Sequence, residues 1–438
     1  MYDPTSLESV FSDWGIRLPG SRFLVAFSGG LDSTVLAESM YHLNMKHAFE
    51  LSLGHVNHRL RPESDSDELF CQQYATERGI PFFSATLNPS QLQGESIEAW
   101  GRRERYARLE GMRSEAGAEW ILTAHHSDDQ AETVIMRLAQ QAPLITLAGI
   151  RARRGRILRP FLAVSRDELR EWATRVGLTW IEDASNIDQR FLRNQLRHNQ
   201  LWSAVTTNAG AKDTLLGLAK LAQGYESACV EAATGIAAMA SGGSIPGTVM
   251  VSVKALLAVE LDVFKIAVKM IVRKFMGTNI RLSTPHWQNF CHFVRAASVG
   301  KVFELPHGVQ VLMDRSRLVV YHAELASAPE MMRLETGRTK WGFHEFLVKA
   351  ADSSHRSTDL QLRSWRTGDK ASLGPGRPLR LLSDIYTDAH FNRLEKTQWP
   401  LVVTGNSQVV WVPGLGVPGR HLEEAHGRIA WQTEIHRR

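Results

Sequence analysis

At 438 residues, with 43% hydrophobic and 22% charged side chains, the chain is composed like a folded globular protein and is too long for one ordinary core. Its formal net charge of +5 is compatible with an RNA partner but too mild to require one, and the excess is mostly arginine on particular segments. Three dispersed cysteines (Cys71, Cys229, Cys291), with no C-x-x-C pair, exclude a disulfide framework and a readable metal-thiolate site.

A reducing, cytoplasmic setting is expected from that cysteine usage. The N-terminus lacks a basic n-region and an apolar h-region, and no run of roughly 18 apolar residues occurs, so neither secretion nor a membrane span is expected.

From Ser21 to about Ile150, apolar runs alternate with amphipathic stretches. Strands are expected at 23–27, 49–56, 81–85 and 120–124, and helices at 33–43, 66–77, 96–115 and 127–139. This β-α rhythm predicts an α/β domain with a doubly wound parallel sheet, whose ligands sit beyond the carboxyl ends of the strands.

The first strand runs into Ser28-Gly-Gly-Leu-Asp-Ser33 and then Thr34. An apolar strand, a glycine turn and a helix start make an anion site, because the first-turn N–H groups are unpaired and lie at the positive end of the helix dipole. Gly29 and Gly30 let a phosphate approach the backbone, Ser28, Ser33 and Thr34 add hydroxyls, and Asp32 adds a carboxylate suited to Mg2+. Neither G-x-x-x-x-G-K-[ST] nor G-x-G-x-x-G is present. A plain capped glycine turn is the competing reading; the strand before the loop and the helix after it favour phosphate.

Three polar clusters follow strand ends or lie on the third helix. His55-Val-Asn-His-Arg-Leu-Arg61 suits a nucleotide or phosphate, or is simply a basic surface loop. Glu98-Ala-Trp-Gly-Arg-Arg-Glu-Arg-Tyr106 places Arg102, Arg105 and Tyr106 on one helical face, suited to phosphate and base contacts or to a solvated stripe paired with Glu98. Thr123-Ala-His-His-Ser-Asp-Asp-Gln-Ala-Glu-Thr133 opens a helix, with Ser127 or Asp128 as the expected N-cap. An acidic first turn would explain Asp128 and Asp129 but not His125 and His126. Carboxylates paired in a cleft, here Asp129 and Glu132, bind Mg2+ or an ammonium group.

The loop resembles that of the ATP-pyrophosphatase (PP-loop) superfamily, with its adenine nucleotide α-hydrolase-like fold. Taken in order, Ser28–Ser33, His58-Arg-Leu-Arg61, Arg102–Tyr106, His125–Thr133, Leu158-Arg-Pro160, Trp180-Ile-Glu-Asp-Ala-Ser-Asn-Ile-Asp188 and Arg193-Asn-Gln-Leu-Arg197 resemble the motifs of bacterial tRNA(Ile)-lysidine synthases. The resemblance covers some two hundred residues. It implies use of ATP and Mg2+ to adenylate the wobble cytidine (C34) of the CAU anticodon of tRNA(Ile), followed by attack of the L-lysine ε-amine and release of AMP.

The resemblance implies catalytic roles for Asp32, Asp129, Glu132 and Arg197, and metal binding at Asp32 and Asp129. Nucleotide contacts are expected from Ser28, Gly29, Gly30, Leu31, Asp32, Ser33, His55, Arg61 and Arg105. Substrate contacts are expected from Arg102, His125, His126, Asp128, Arg193 and Asn194. Which carboxylate binds metal and which binds lysine is open at this level. One departure stands out: the family's glycine-rich Arg-Gly-[ST]-Gly stretch is replaced by Gln140-Gln-Ala-Pro-Leu-Ile-Thr146, although Gly149-Ile150 persists.

Arg151, Arg153, Arg154, Arg156 and Arg159 form a dense basic run that suits an RNA backbone or a solvated loop. Beyond it, segments 213–240 and 256–275 read as helices, 301–321 as hairpin strands joined at His307-Gly308, and 402–412 as a hairpin at Gly405-Asn406. The resulting division is a catalytic domain over 1–205, a mainly helical tRNA-binding domain over 206–330 and a mostly β tRNA-binding domain over 331–438. Arg363, Arg366, Lys370, Arg377 and Arg380 give the last a basic lean. A tRNA thiolase is the nearest rival, disfavoured because no cysteine lies in any motif. An amide-forming relative lacks its expected N-terminal nucleophile cysteine here, and an inactive RNA-binding relative is the remaining alternative.

Overall fold

In the computed structural model, strand β1 (Arg22–Ala26) lies at the middle of a six-stranded sheet ordered β3-β2-β1-β4-β6-β5. The other strands are β2 (Glu50–Asn57), β3 (Phe82–Thr86), β4 (Trp120–Leu122), β5 (Arg153–Arg154) and β6 (Ile157–Leu158). All neighbours pair in parallel except β5, which turns back on β6 as an edge hairpin. Val25 faces Leu53 on one side and Leu122 on the other. The structure describes residues 2–59, 62–88, 96–182, 208–348, 359–374, 376–416 and 429–433. The chain divides into two compact units, 1–226 and 227–438.

In the first unit, successive side chains of β1 point to opposite faces, as a strand requires. Phe23 and Val25 join Leu7, Phe11, Leu36, Met40 and Trp172 in one buried cluster. Leu24 joins Leu109, Met112 and Ile121 in another. Helices α1 (Ser6–Asp13), α2 (Leu31–Lys46), α3 (Ser64–Glu77) and α6 (Arg166–Arg175) supply the first layer, and α4 (Ile97–Glu115) the second. Each fully buried Leu or Phe contributes about 1.5–3 kcal/mol, so the two-sided sheet is the main source of stability here. The expected strands and helices of 21–139 are all present, with ends shifted by a few residues. Because β4 lies on the far side of β1 from β2, the chains leaving β1 and β4 diverge and open a crevice between them.

In the second unit, β7 (Ser241–Gly242), β8 (Val249–Ser252), β9 (Val302–Leu305), β10 (Val309–Asp314) and β11 (Arg317–His322) form an antiparallel sheet. The turn at His307 and Gly308 takes the left-handed conformation at both residues, as a tight hairpin needs. The stretch expected as one helix at 256–275 is two, Val253–Leu257 and Leu261–Met276. The hairpin expected at 402–412 is formed by the strands Leu401–Thr404 and Val409–Trp411. Two short helices, Leu382–Asp388 and Arg393–Gln398, interrupt the segment expected to be mostly β. Arg363 is buried and holds both oxygens of Asp369 at 2.8 and 2.9 Å, so its charge is internal to the fold.

His344 sits fully buried among aromatic rings, stacked on Trp431 and edge-on to Trp399. Its Nε2 meets the Gln398 carbonyl at 3.1 Å and its Nδ1 meets Trp431 Nε1–H at 3.3 Å, which defines a neutral ring protonated on Nε2. Burial lowers its pKa from 6.5 to about 4. The folded pKa is the lower one, so the neutral ring's contribution is full above pH 6.5 and is lost as pH falls towards 4. This amounts to roughly 3 kcal/mol for the whole interval. Urea unfolding followed by tryptophan fluorescence should therefore show a steeper stability loss between pH 7 and pH 5 for the parent than for His344→Gln. Equal slopes would remove His344 from the acid response.

Candidate functional site

The crevice beyond β1 and β4 holds a cavity of about 350 Å3, floored by the loop after β1. Gly29 adopts φ +80°, a conformation that L side chains rarely take, and a Cβ there would lie 2.6 Å from Ile181 Cδ1. Its carbonyl accepts from Ile181 N–H at 2.8 Å, which ties the loop to residues 180–182. Ser33 Oγ receives Ser28 N–H at 3.2 Å and donates to the Gly30 carbonyl at 3.0 Å, holding the turn closed. Thr34, expected to offer its hydroxyl to a phosphate, is instead fully buried and bonds the Gly29 and Gly30 carbonyls. A helical threonine can reach back one turn to a carbonyl, and here burial leaves it no other partner.

Helix α5 (Ser127–Ala139) starts at the same crevice. Its N-cap is His126, rather than Ser127 or Asp128, and Asp129 reaches back to accept His126 N–H at 3.0 Å. A third-position carboxylate thereby satisfies a donor at the helix start and favours the positive end of its dipole. His126 is buried among carboxylates, with Nε2 3.6 Å from Asp32 and 3.7 Å from Asp129, and Nδ1 3.5 Å from Asp128. Burial alone would depress its pKa, but Asp128, Asp32 and Asp129 outweigh that and raise it to about 9. His126 is thus an imidazolium at neutral pH. Asp128 itself is held well below the usual carboxylate range: burial opposes this, and His126, Lys212 and the Arg166 backbone prevail. Its oxygens accept Lys212 Nζ at 2.6 Å and Arg166 N–H at 2.9 Å.

The opposite wall is cationic. Helix α4 presents Arg102, Arg105 and Tyr106, with both guanidinium carbons 5.3–5.5 Å from the Tyr106 ring. His58 and His125 lie beside them. Burial, then Arg105 and His55, lower His58 to about 4. Burial also pushes His125 down; Asp129 opposes this, while Arg159, Arg105 and Arg102 add to it. The shifts favour the neutral form of both rings, so the positive charge on this side is carried by guanidinium groups.

The PP-loop domain family matches residues 4–203, and the family described as TilS substrate C-terminal domain matches residues 360–431. The tRNA(Ile)-lysidine synthase of Geobacter sulfurreducens is 29% identical over 435 residues, covering 92% of this chain and 90% of that protein. The enzyme of the same name from Symbiobacterium thermophilum is 29% identical, with 97% and 96% covered. That from Coxiella burnetii is 42% identical over 185 residues, 41% of either chain. Over nearly its whole length the chain is similar to tRNA(Ile)-lysidine synthases.

Of the residues singled out in the sequence, Ser28, Gly30, Leu31, Asp32, Ser33, Arg102, Arg105, His125, His126 and Asp129 line this one cavity. Asp128 and Glu132 do not: Asp128 faces Lys212 and the start of α6, and Glu132 is buried on α5. His55 stands behind the wall, its Nδ1 2.9 Å from the Phe27 carbonyl. Arg61, Arg193, Asn194 and Arg197 lie outside the described residues. Sequence reasoning missed Arg166 and Arg170, which line the cavity, and Lys212, which pairs with Asp128. The Ser165-x-x-Glu168 capping box announces the helix that carries both arginines, so that signal was available. Nothing local marks Lys212.

The left-handed glycine gives a direct test of the loop. Gly29→Ala should lower stability by about 1–2 kcal/mol and weaken binding of a non-hydrolysable ATP analogue, measured by thermal denaturation and calorimetry. An alanine variant matching the parent in both would show that the loop does not depend on this conformation.

Proposed function

We propose that this chain is a tRNA(Ile)-lysidine synthase acting on the wobble cytidine of the CAU anticodon. The carrying observation is the loop at the sheet's switch point, facing clustered carboxylates and an arginine wall in one cavity. The cytidine O2 attacks the α-phosphorus of ATP and pyrophosphate leaves. The lysine ε-amine then attacks C2, the C2–O bond breaks, AMP departs and the amine loses a proton. Backbone N–H groups at the start of α2 and the hydroxyl of Ser28 suit the phosphates.

Asp32 suits Mg2+, because its Oδ1 is buried without a hydrogen-bond donor and sits beside the loop. Mg2+ is commonly held by one or two carboxylates plus substrate phosphates, and there it would neutralise charge on the leaving pyrophosphate. Asp129 lines the cavity, and its Oδ2 accepts the His126 N–H at the helix start. Of the two carboxylates expected to meet the lysine ammonium or take its proton, Asp129 lines the cavity and Glu132 does not, so we assign that contact to Asp129.

Sulfur transfer is disfavoured by the thiol nearest the loop. A Cβ on Gly29 would lie 3.1 Å from Cys71 Sγ, yet Cys71 is fully buried, and burial pushes its thiol far above the ordinary range. A protonated, enclosed thiol is a poor nucleophile.

Incubation with ATP, Mg2+, labelled lysine and CAU-bearing transcripts tests the reading. Label should enter tRNA(Ile) but not a methionine tRNA with the same anticodon, with AMP released, and Asp32→Asn should slow this at least roughly a hundredfold. AMP formation dependent on tRNA but without label would mean another nucleophile, and tRNA binding with neither product would leave an RNA-binding protein.

A further inference from the structure

Arg159 departs from the reading of residues 151–159 as an RNA-facing run. It is only 3% exposed, whereas Arg153, Arg154 and Arg156 are exposed. Its Nη1 donates to the Arg151 carbonyl at 2.7 Å and its Nη2 to the Tyr106 hydroxyl at 3.4 Å. The buried Nε has no hydrogen-bond partner, and no described carboxylate pairs with the guanidinium. A buried cation without a counter-ion is costly unless an anion completes the site.

Tyr106 connects that charge to the cavity. Its ring is half-buried, lines the wall and is flanked by Arg102 and Arg105. Because the phenol oxygen accepts from Arg159, the phenol proton is directed elsewhere, and no described residue accepts it. We propose that Arg159 is a positioning residue that orients and polarises Tyr106, and that the Tyr106 O–H donates to a phosphate oxyanion entering the arginine wall. The surrounding electrostatics agree: burial opposes ionisation of the phenol, but the Arg159 bond and the three guanidinium groups together pull it below its ordinary value. A phenol so placed is a stronger donor to an anion than an isolated tyrosine.

The phosphate has two possible sources under the proposed function, the nucleotide or the tRNA backbone, and the inference rests on that reading for both ligands. Equilibrium binding of a non-hydrolysable ATP analogue and of the tRNA(Ile) transcript should be measured separately on the full chain. Tyr106→Phe, which keeps the ring, should weaken one of them roughly tenfold, as loss of a hydrogen bond to a charged group does. A loss confined to the analogue identifies the nucleotide phosphate; one confined to the transcript identifies the tRNA backbone.

Arg159→Lys should lose part of that affinity and Arg159→Met all of it. The double variant Arg159→Met/Tyr106→Phe should be no weaker than Tyr106→Phe alone, because Arg159 acts through the phenol. Arg154→Ala, on the exposed side, should leave the analogue's affinity unchanged. Unaltered binding of both ligands by a folded Tyr106→Phe overturns the proposal, as do Arg159 and Tyr106 losses that multiply. Since lysine incorporation by the parent is a separate readout, a parent that binds phosphate through Tyr106 but incorporates no lysine refutes the function and not this inference.

Discussion

A protonated histidine wedged among three aspartates is the constraint on which the site depends. Asp32 comes from the first turn of α2 after β1, and Asp128 and Asp129 from the start of α5 after β4. Their oxygens lie 3.5–3.7 Å from the His126 ring nitrogens. Carboxylates brought together in a low-dielectric crevice repel one another. The imidazolium relieves that repulsion, and the carboxylates in turn keep it charged. Neighbouring parallel strands that diverge at a switch point bring the two loops together, so the sheet order and the ionic cluster are one design.

Asp128 carries the constraint outward. Through Arg166 N–H it fixes the start of α6, and through Lys212 it fixes the first turns of the helix Ala209–Ala238. Two residues on, Gln130 bonds the Ala148 carbonyl and Ile150 N–H, and Gln223 bonds the same carbonyl at 2.9 Å. Gly149 turns left-handed between them, where a Cβ would strike Gln130. The segment Gln140–Thr146, which lacks the family's glycines, therefore leads into a short 3-10 helix, Leu144–Ala148, anchored by amides on two helices. Its departure in sequence is matched by a defined anchorage in structure.

The arginine run shows how one composition resolves into several jobs. Burial of Arg159, the ion pair of Arg151 with Glu226, and Arg153 packed over the Trp120 ring give three residues three internal partners. Arg154 and Arg156 keep exposed side chains on the edge hairpin. The same sorting occurs at Arg363, whose bidentate pairing with Asp369 removes it from the basic surface of the second unit.

The order of strands and helices over 21–139, the loop between β1 and α2 and the cluster at 123–133 were legible in the sequence, because each is written in local periodicity and short-range chemistry. The family resemblance named the reaction. Tertiary structure alone decided which polar groups face the cavity: Asp129 lines it while Asp128 and Glu132, its neighbours on the same helix, do not. Adjacent residues on a helix point in different directions, whereas those three or four apart share a face, so what each of them meets is set by elements distant in the chain. Lys212 lies 84 positions from Asp128, and Arg159 lies 53 from Tyr106. No local pattern encodes such a pairing, because the charge at each partner is stabilised only once the sheet has brought both together.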